Sequence, residues 1–402
     1  MGRFDRFFDD DGSLKLGRTP ERAPSPVRGL TGGDWADDGV YRMERVYSLG
    51  ARHGRSVLDR PEDMEVMSSF GARGSVVFLD LETTGLSGGA GTYAFLCGLG
   101  IADSGSFKVI QFFLEGPSKE LRWLRAIESA IPRDACLATY NGKAFDIPLL
   151  RTRHILARSE PSWDRLPHID LLRHARRFYS GRFESCSLGS MEKNILGVAR
   201  SDEDIPGYLI PAMYMRYLQT RDARPLNGVF YHNALDIVSL ATLYCHVARV
   251  LEGASSDGLE LIRAGDLWMA IGHPERAQKL WGAAGGFPQS RVEAAIRKGF
   301  SAKRARDYES AREEFLRALE AVKSGASCGG AIVYTLLEEL AKLEEHRFKS
   351  PETAMEHAKG AIEWLRKNRY LLGRSFIQMN RSMAQRAARL EKILEKNAAD
   401  IV

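Results

Sequence analysis

The chain has 402 residues, 44% hydrophobic and 27% charged, with a formal net charge of +5. This is more than one ordinary domain, and its globular composition can bury a core; the mild basic excess suits a polyanionic partner without demanding one. Five dispersed cysteines (Cys97, Cys136, Cys186, Cys245, Cys328) form no CxxC pair and have no histidine at ligand spacing, which excludes a disulfide framework and a zinc site.

Residues 1–38, rich in Asp, Arg, Gly and Pro, read as a flexible N-terminal arm. Their start, MGRFDRFFDDDGSLK, lacks the apolar core of a signal peptide. No run reaches the roughly 20 apolar residues of a bilayer span. The expected location is cytoplasmic, with no membrane partner. Next, VYRMERVYSL reads as a strand of undefined role.

The stretch Ser75–Leu86, SVVFLDLETTGL, reads as a buried strand ending in two carboxylates. Asp80 and Glu82, two apart, share one side of it. Paired acids repel each other and lose hydration, so they call for a cation. The Gly-rich SGGAG reads as a hairpin link, because no Lys-Ser/Thr follows it. Apolar runs over 92–101 and 107–114 complete an antiparallel meander. A helix over KELRWLRAIESAI, capped by Ser118, a strand over 135–139 and a helix after YNGKAFD follow. Three strands, then helix, strand and helix, is the order of an α/β ribonuclease-H-like domain, a mixed sheet flanked by helices.

Further on come a short strand in LPHID, the helices LLRHARRFYS and SLGSMEKNIL, and helices over about 211–219 and 227–251. Asp170 reads either as an acid near the site or as a helix N-cap. Arginines over 151–182, interleaved with Trp163, Phe178, Tyr179 and Phe183, fit either a single-stranded nucleic-acid track or a solvated face over core aromatics.

From residue 258 the pattern is wholly helical. Setting Ala277 beside Ala311 places Gly265 over Gly299, Trp281 over Phe315 and Ala284 over Ala318, an offset of 34 residues. That period and small/aromatic pattern match tetratricopeptide repeats, with a looser third unit that carries Ala354, Ala358 and Ala361 and an insertion in its turn. The basic last helices read as solvated repeat faces or as an extension of a nucleic-acid surface. The expected organisation is an arm at 1–38, a ribonuclease-H-like domain at 39–252 with its motif-bearing core at 75–250, and an all-α TPR-like helical-repeat domain at 258–402.

Two further sites join the acidic strand end. Asn141 and Asp146 lie between the fourth strand and its helix, and His232 and Asp236 share a helical face four residues apart. DLETTGL, YNGKAFD and HNALD together resemble the three motifs of the DEDD (DnaQ-like) 3′–5′ exonuclease superfamily. With the C-terminal helices, the chain resembles a bacterial family of ribonuclease-H-like proteins that carry TPR-like repeats.

The resemblance implies a hydrolase that cleaves phosphodiester bonds of single-stranded DNA or RNA from a 3′ end, using two divalent cations, Mg²⁺ or Mn²⁺. Asp80 would bridge the two metals, Glu82 with Asp236 would complete the shell of the first metal, and Asp146 would hold waters around the second metal. His232 would deprotonate the attacking water. Thr83, Thr84, Gly85 and Asn141 would approach the terminal nucleotide. One departure concerns the base: the residue five before the last Asp is Tyr231, and the residue four before is His232. Helical geometry favours His232, and Tyr231 is the alternative. The repeat domain would hold a protein or peptide partner. Rival readings are a non-catalytic nucleic-acid-binding adaptor and a structure-selective endonuclease on the same fold.

Overall fold

The computed structural model describes residues 29–399 except 38, 86–90, 201–203, 327–328, 330 and 374. Residues 1–28 of the expected arm, most of the SGGAG link and Cys328 lie outside the described residues. Packing divides the chain into two units. One comprises residues up to Leu58, Ala72–Asp170 and Gly197–Ala241; the other comprises Asp59–Gly71, Leu171–Leu196 and the chain from Thr242 onward. This division differs from the linear boundary expected near residue 252, because two earlier segments pack with the C-terminal helices.

The first unit is built on a sheet of seven strands among the described residues. These are β1 (Gly33–Asp37), β2 (Val40–Ser48), β5 (Val76–Thr83), β6 (Ala94–Asp103), β7 (Ser106–Leu114), β8 (Cys136–Thr139) and β9 (His168–Asp170); β3 (Arg52–His53) and β4 (Ser56–Val57) form a separate hairpin. The sheet order is β1-β2-β7-β6-β5-β8-β9. Strands β5, β6 and β7 form the expected antiparallel meander, whose second turn passes through Gly105 at φ +122°. Strands β8 and β9 run parallel to β5. Parallel pairing needs long crossovers, supplied by helices α1 (Glu120–Ala130) and α2 (Asp146–Leu156). Ser118 does not cap α1, which begins after a 3₁₀ turn over Pro117–Lys119. Trp123 of α1 is fully buried, and its Nε1 donates to the Phe112 carbonyl at 2.8 Å.

The strand of undefined role is β2, which extends the sheet by pairing with β7 from Val40↔Leu114 to Ser48↔Ser106. Its outer edge would present unpaired backbone groups, and β1 covers the first part of it, from Val40 to Met43, with Trp35 edge-on to Tyr41 at 5.4 Å. The end of the expected arm is therefore an edge strand.

The second unit opens with 3₁₀ segments over Pro61–Asp63 and Glu65–Phe70, then α3 (Leu171–Tyr179) and α4 (Leu188–Met191). Helices α5 (Ile210–Thr220) and α6 (Leu226–Glu252) follow in the chain; α5 belongs to the first unit, and α6 starts there and ends in the second. Helix α6 is long and apolar enough to cross a membrane by length and composition, but most of its apolar stretch is buried within the protein. The rest of the second unit is α7 (Gly258–Ala270), α8 (Pro274–Ala284), α9 (Arg291–Arg304), α10 (Tyr308–Lys323), α11 (Ile332–Leu343), α12 (Pro351–Lys367), α13 (Arg369–Leu372) and α14 (Ser375–Ala399).

One contact recurs at the 34-residue offset. A Cβ on Gly265 would lie 2.4 Å from Trp281, and one on Gly299 would lie 2.5 Å from Phe315, so each glycine lets the aromatic of the next helix press onto its backbone. Ala277, Ala284, Ala311 and Ala318 are fully buried at the crossings. The extra residues of the third helix pair are taken up by a π-helical turn, Glu344–Phe348, that ends at left-handed Lys349. The earlier segments pack here too: Phe70 sits edge-on to Trp268 at 5.2 Å, and the Tyr179 hydroxyl donates to Glu260 at 2.8 Å.

Candidate active site

In the register of the meander, Asp80 of β5, Gly98 of β6 and Gln111 of β7 stand in one row across the sheet. Directly opposed residues project to the same face, so the missing side chain at Gly98 leaves a gap between Asp80 and Gln111. Asn233 of α6 fills it. Its Nδ2 donates to Asp80 Oδ2 at 2.8 Å, and its Oδ1 accepts from Gln111 Nε2 at 2.9 Å. Gln111 also donates to the Phe230 carbonyl at 2.8 Å. Asn233 and Gln111 are both fully buried, so the relay holds α6 at one height over the sheet. Gly100 repeats the device: a Cβ there would meet Ile237 at 2.5 Å.

Helix α6 thereby brings Asp236 to the strand end. The charges of Asp236, Glu82 and Asp146 each act on Asp80, and those of Asp236 and Asp146 act on Glu82. Burial, reinforced by these charges, holds both carboxyls well above the usual carboxylate range; Asn233 opposes this for Asp80, and Arg200 for Glu82. Asp146, the first residue of α2, is pushed up to about 7, mainly by burial and further by Asp170, against backbone hydrogen bonds from its own N–H and that of Leu81. Asp80, Glu82, Asp146 and Asp236 are thus gathered in one place.

His232 and Asp236 lie on one helical face as expected, with His232 Nε2 3.6 Å from Asp236 Oδ2. His232 Nδ1 lies 2.8 Å from Asp204 Oδ1. Arg200 joins all three: it pairs with Asp236, reaches Asp204 Oδ2 at 3.0 Å, and lies 3.1 Å from His232 Nδ1. One Nδ1 cannot both donate and accept. The shorter approach to a carboxylate assigns its proton to Asp204, which leaves Nε2 as the acceptor facing Asp236. Tyr231, by contrast, is 41% exposed and lines a cavity of about 200 Å³ with Tyr47, Arg52, His53, Leu235 and Val238.

Thr83 and Thr84 spend their hydroxyls on the turn: Thr83 donates to the Gly85 carbonyl, and Thr84 accepts from the Tyr93 N–H, both at 2.9 Å. Asn141 is left-handed at φ 64°, and its N–H donates to Asp170 at 2.8 Å. Asp170 also takes the Lys143 N–H at 3.1 Å, so this buried acid braces the loop that leads to Asp146.

The arginine-aromatic track is not continuous. Arg153 is buried on Glu120, Arg151 pairs with Asp164 and Arg182 with Asp257, while Trp163, Phe178 and Tyr179 are core residues. In the last helices, Arg386 and Arg389 are spent on Glu345.

Sequence reasoning did not single out Asn233, Gln111, Arg200 or Asp204. For Gln111 the signal was a polar residue inside the apolar run KVIQFFL; for Asn233 it was its place between His232 and Asp236.

The donor set is all oxygen apart from one imidazole, which suits a hard divalent cation. The charges of Glu82, Asp146 and Asp236 that act on Asp80 outnumber the one cation, Arg200, that acts on Glu82. Among the described residues, no three acid, His or Cys side chains converge closely enough to hold one ion.

A sequence profile of the RNase_H superfamily matches residues 77–248. Protein YprB of Bacillus subtilis (strain 168) is 32% identical over 351 residues, covering 81% of each chain. The structure of E. coli exonuclease I with a dT13 oligonucleotide is 21% identical over 39% of this chain and 44% of that one, with a TM-score of 0.26. An apo exonuclease I is 14% identical over 79% and 99%, with a TM-score of 0.28. Structural likeness at that level carries no argument. On the sequence relationship, the chain belongs to the YprB family and contains an RNase H superfamily domain.

Proposed function

We propose that this protein is a metal-dependent 3′–5′ exonuclease acting on single-stranded DNA or RNA. The observation that carries the reading is the gathering of Asp80, Glu82, Asp146 and Asp236 from β5, α2 and α6, where the charges of Glu82, Asp146 and Asp236 all act on Asp80 and those of Asp146 and Asp236 act on Glu82. Those four residues would hold two Mg²⁺ or Mn²⁺ ions. Bound there, the ions would stabilise the attacking and leaving oxygens of a phosphodiester displacement. His232, its Nδ1–H held by Asp204, offers Nε2 to take a proton from the attacking water. Asn233 fixes the rotamer of Asp80.

The cavity beside Tyr231 lies on the face of α6 next to the one that bears His232 and Asp236. Its two tyrosines and Arg52 suit stacking on a base and pairing with a phosphate. The C-terminal helix pairs are read as tetratricopeptide-like repeats that hold a protein or peptide segment, and the buried free thiols fit a cytoplasmic setting.

The test is digestion of end-labelled single strands of DNA and RNA by the full chain with Mg²⁺ or Mn²⁺. Wild type should shorten strands from the 3′ end, and Asp80→Ala should bind but not cut. His232→Ala should be strongly impaired. Absence of cutting of either substrate sinks the reading, and cutting of strands with blocked 3′ ends would replace it with an endonuclease.

A further inference from the structure

Arg200 stands among three of the charged side chains at the end of the sheet. Its guanidinium pairs with Asp236, reaches Asp204 at 3.0 Å and lies 3.1 Å from His232 Nδ1. All four side chains are largely enclosed, at 23% exposure for Arg200, 16% for Asp236, 13% for His232 and 9% for Asp204. Its charge also reaches Glu82 and partly offsets the acids around it. Through the fork of its guanidinium it therefore acts on Asp236 and on the acid that orients His232.

We infer that Arg200 is the internal counter-ion of the carboxylate cluster and competes with divalent metal for Asp236. This rests on the metal-dependent reading above. A guanidinium stays charged at any working pH, so Arg200 can release Asp236 only by moving, not by losing a proton. The Asp236 carboxylate that accepts the guanidinium is one of the groups that would hold a metal ion. The two cations are therefore linked: whatever Arg200 contributes to the metal-free protein is subtracted from metal affinity, and metal entry drives Arg200 off Asp236. Because Arg200 also bonds Asp204, its departure from Asp236 leaves it tethered beside the site. The design keeps four crowded acids folded without metal at the cost of weaker metal binding.

The experiment is Mn²⁺ binding to the full chain by calorimetry, together with thermal unfolding in EDTA and in saturating Mn²⁺, for wild type, Arg200→Gln and Arg200→Lys. Arg200→Gln should bind Mn²⁺ about tenfold more tightly than wild type. It should also unfold at a lower temperature in EDTA, with the gap closing in Mn²⁺. Arg200→Lys, which keeps the charge but not the fork, should fall between them and serves as the working variant if the glutamine form does not fold. Equal or weaker Mn²⁺ binding by the variants overturns the inference while leaving the metal-dependent reading in place. Absence of Mn²⁺ binding by wild type and variants alike overturns both.

Discussion

Gly98→Ala tests whether the site is held by the row Asp80–Gly98–Gln111. The new methyl would lie 2.3 Å from Asn233 Oδ1 and 3.0 Å from both Asn233 Cγ and Ile237 Cγ1. Neither neighbour can yield cheaply, because Asn233 is bonded on both sides and Ile237 is fully buried. Overpacking of this kind costs about 1–3 kcal/mol. Replacing a strand glycine returns about 0.5–1 kcal/mol of chain entropy. The net loss is about 1–2 kcal/mol, a fall in Tm of roughly 2–8 °C. Gly100→Ala is the control, since its methyl would meet Ile237 at 2.5 Å and Phe107 at 2.6 Å but not Asn233. Both variants should lose similar stability, read by denaturant unfolding. Only Gly98→Ala should also push Asn233 away from Asp80, and so reduce strand cleavage about tenfold further. Equal activity in the two variants, or wild-type stability in Gly98→Ala, would refute the reasoning.

Two further outcomes follow from buried charge. His168, bonded to Thr139 at 2.8 Å, is held down to about 4 by burial and by the positive charge of Lys143, with Asp170 opposing. Its folded value lies below the unfolded one near 6.5, so its contribution to stability is complete above pH 6.5 and is lost as pH falls through 4. At about 1.4 kcal/mol per pH unit this amounts to about 3 kcal/mol. His168→Gln should flatten that limb of a stability-against-pH curve, and an unchanged slope would show the wrong group was chosen. Arg153, which sits over the Tyr93 ring at 3.9 Å and pairs with Glu120 at 2.5 and 2.7 Å, ties α2 to α1 and to the start of β6. Arg153→Met strands the Glu120 carboxylate and should cost about 3–5 kcal/mol in urea unfolding, most of it recovered by adding Glu120→Leu.

What was legible in the sequence was local. Period-two alternation and the turn Thr83–Thr84–Gly85 gave β5 its end, and the i, i+4 rule put His232 and Asp236 on one face. The 34-residue offset gave the glycine-aromatic contacts of α7–α8 and α9–α10. What was not legible was long-range. Alternation in VYRMERVYS says that a strand forms, not that it pairs with β7, and nothing local tells that Asn233 spans the gap over Gly98. Arg153 and Arg182 fitted either a nucleic-acid track or a solvated face, and composition cannot show that Glu120 and Asp257 claim them. Arg200 stayed hidden because its partners lie up to 36 residues away.

The two units interleave along the chain, and this bears on how the protein is made. Val66, Met67, Phe178, Tyr179 and Met191 belong by packing to the unit completed by the chain after Thr242, yet they leave the ribosome long before it. The sheet can close once Ala241 is out, while these apolar side chains wait uncovered for the helices that shield them. A fragment ending at 252 would lack Glu260 and Trp268, the partners of Tyr179 and Phe70. It would carry every acid of the candidate site and still be prone to clump, so biochemical work calls for the full-length polypeptide.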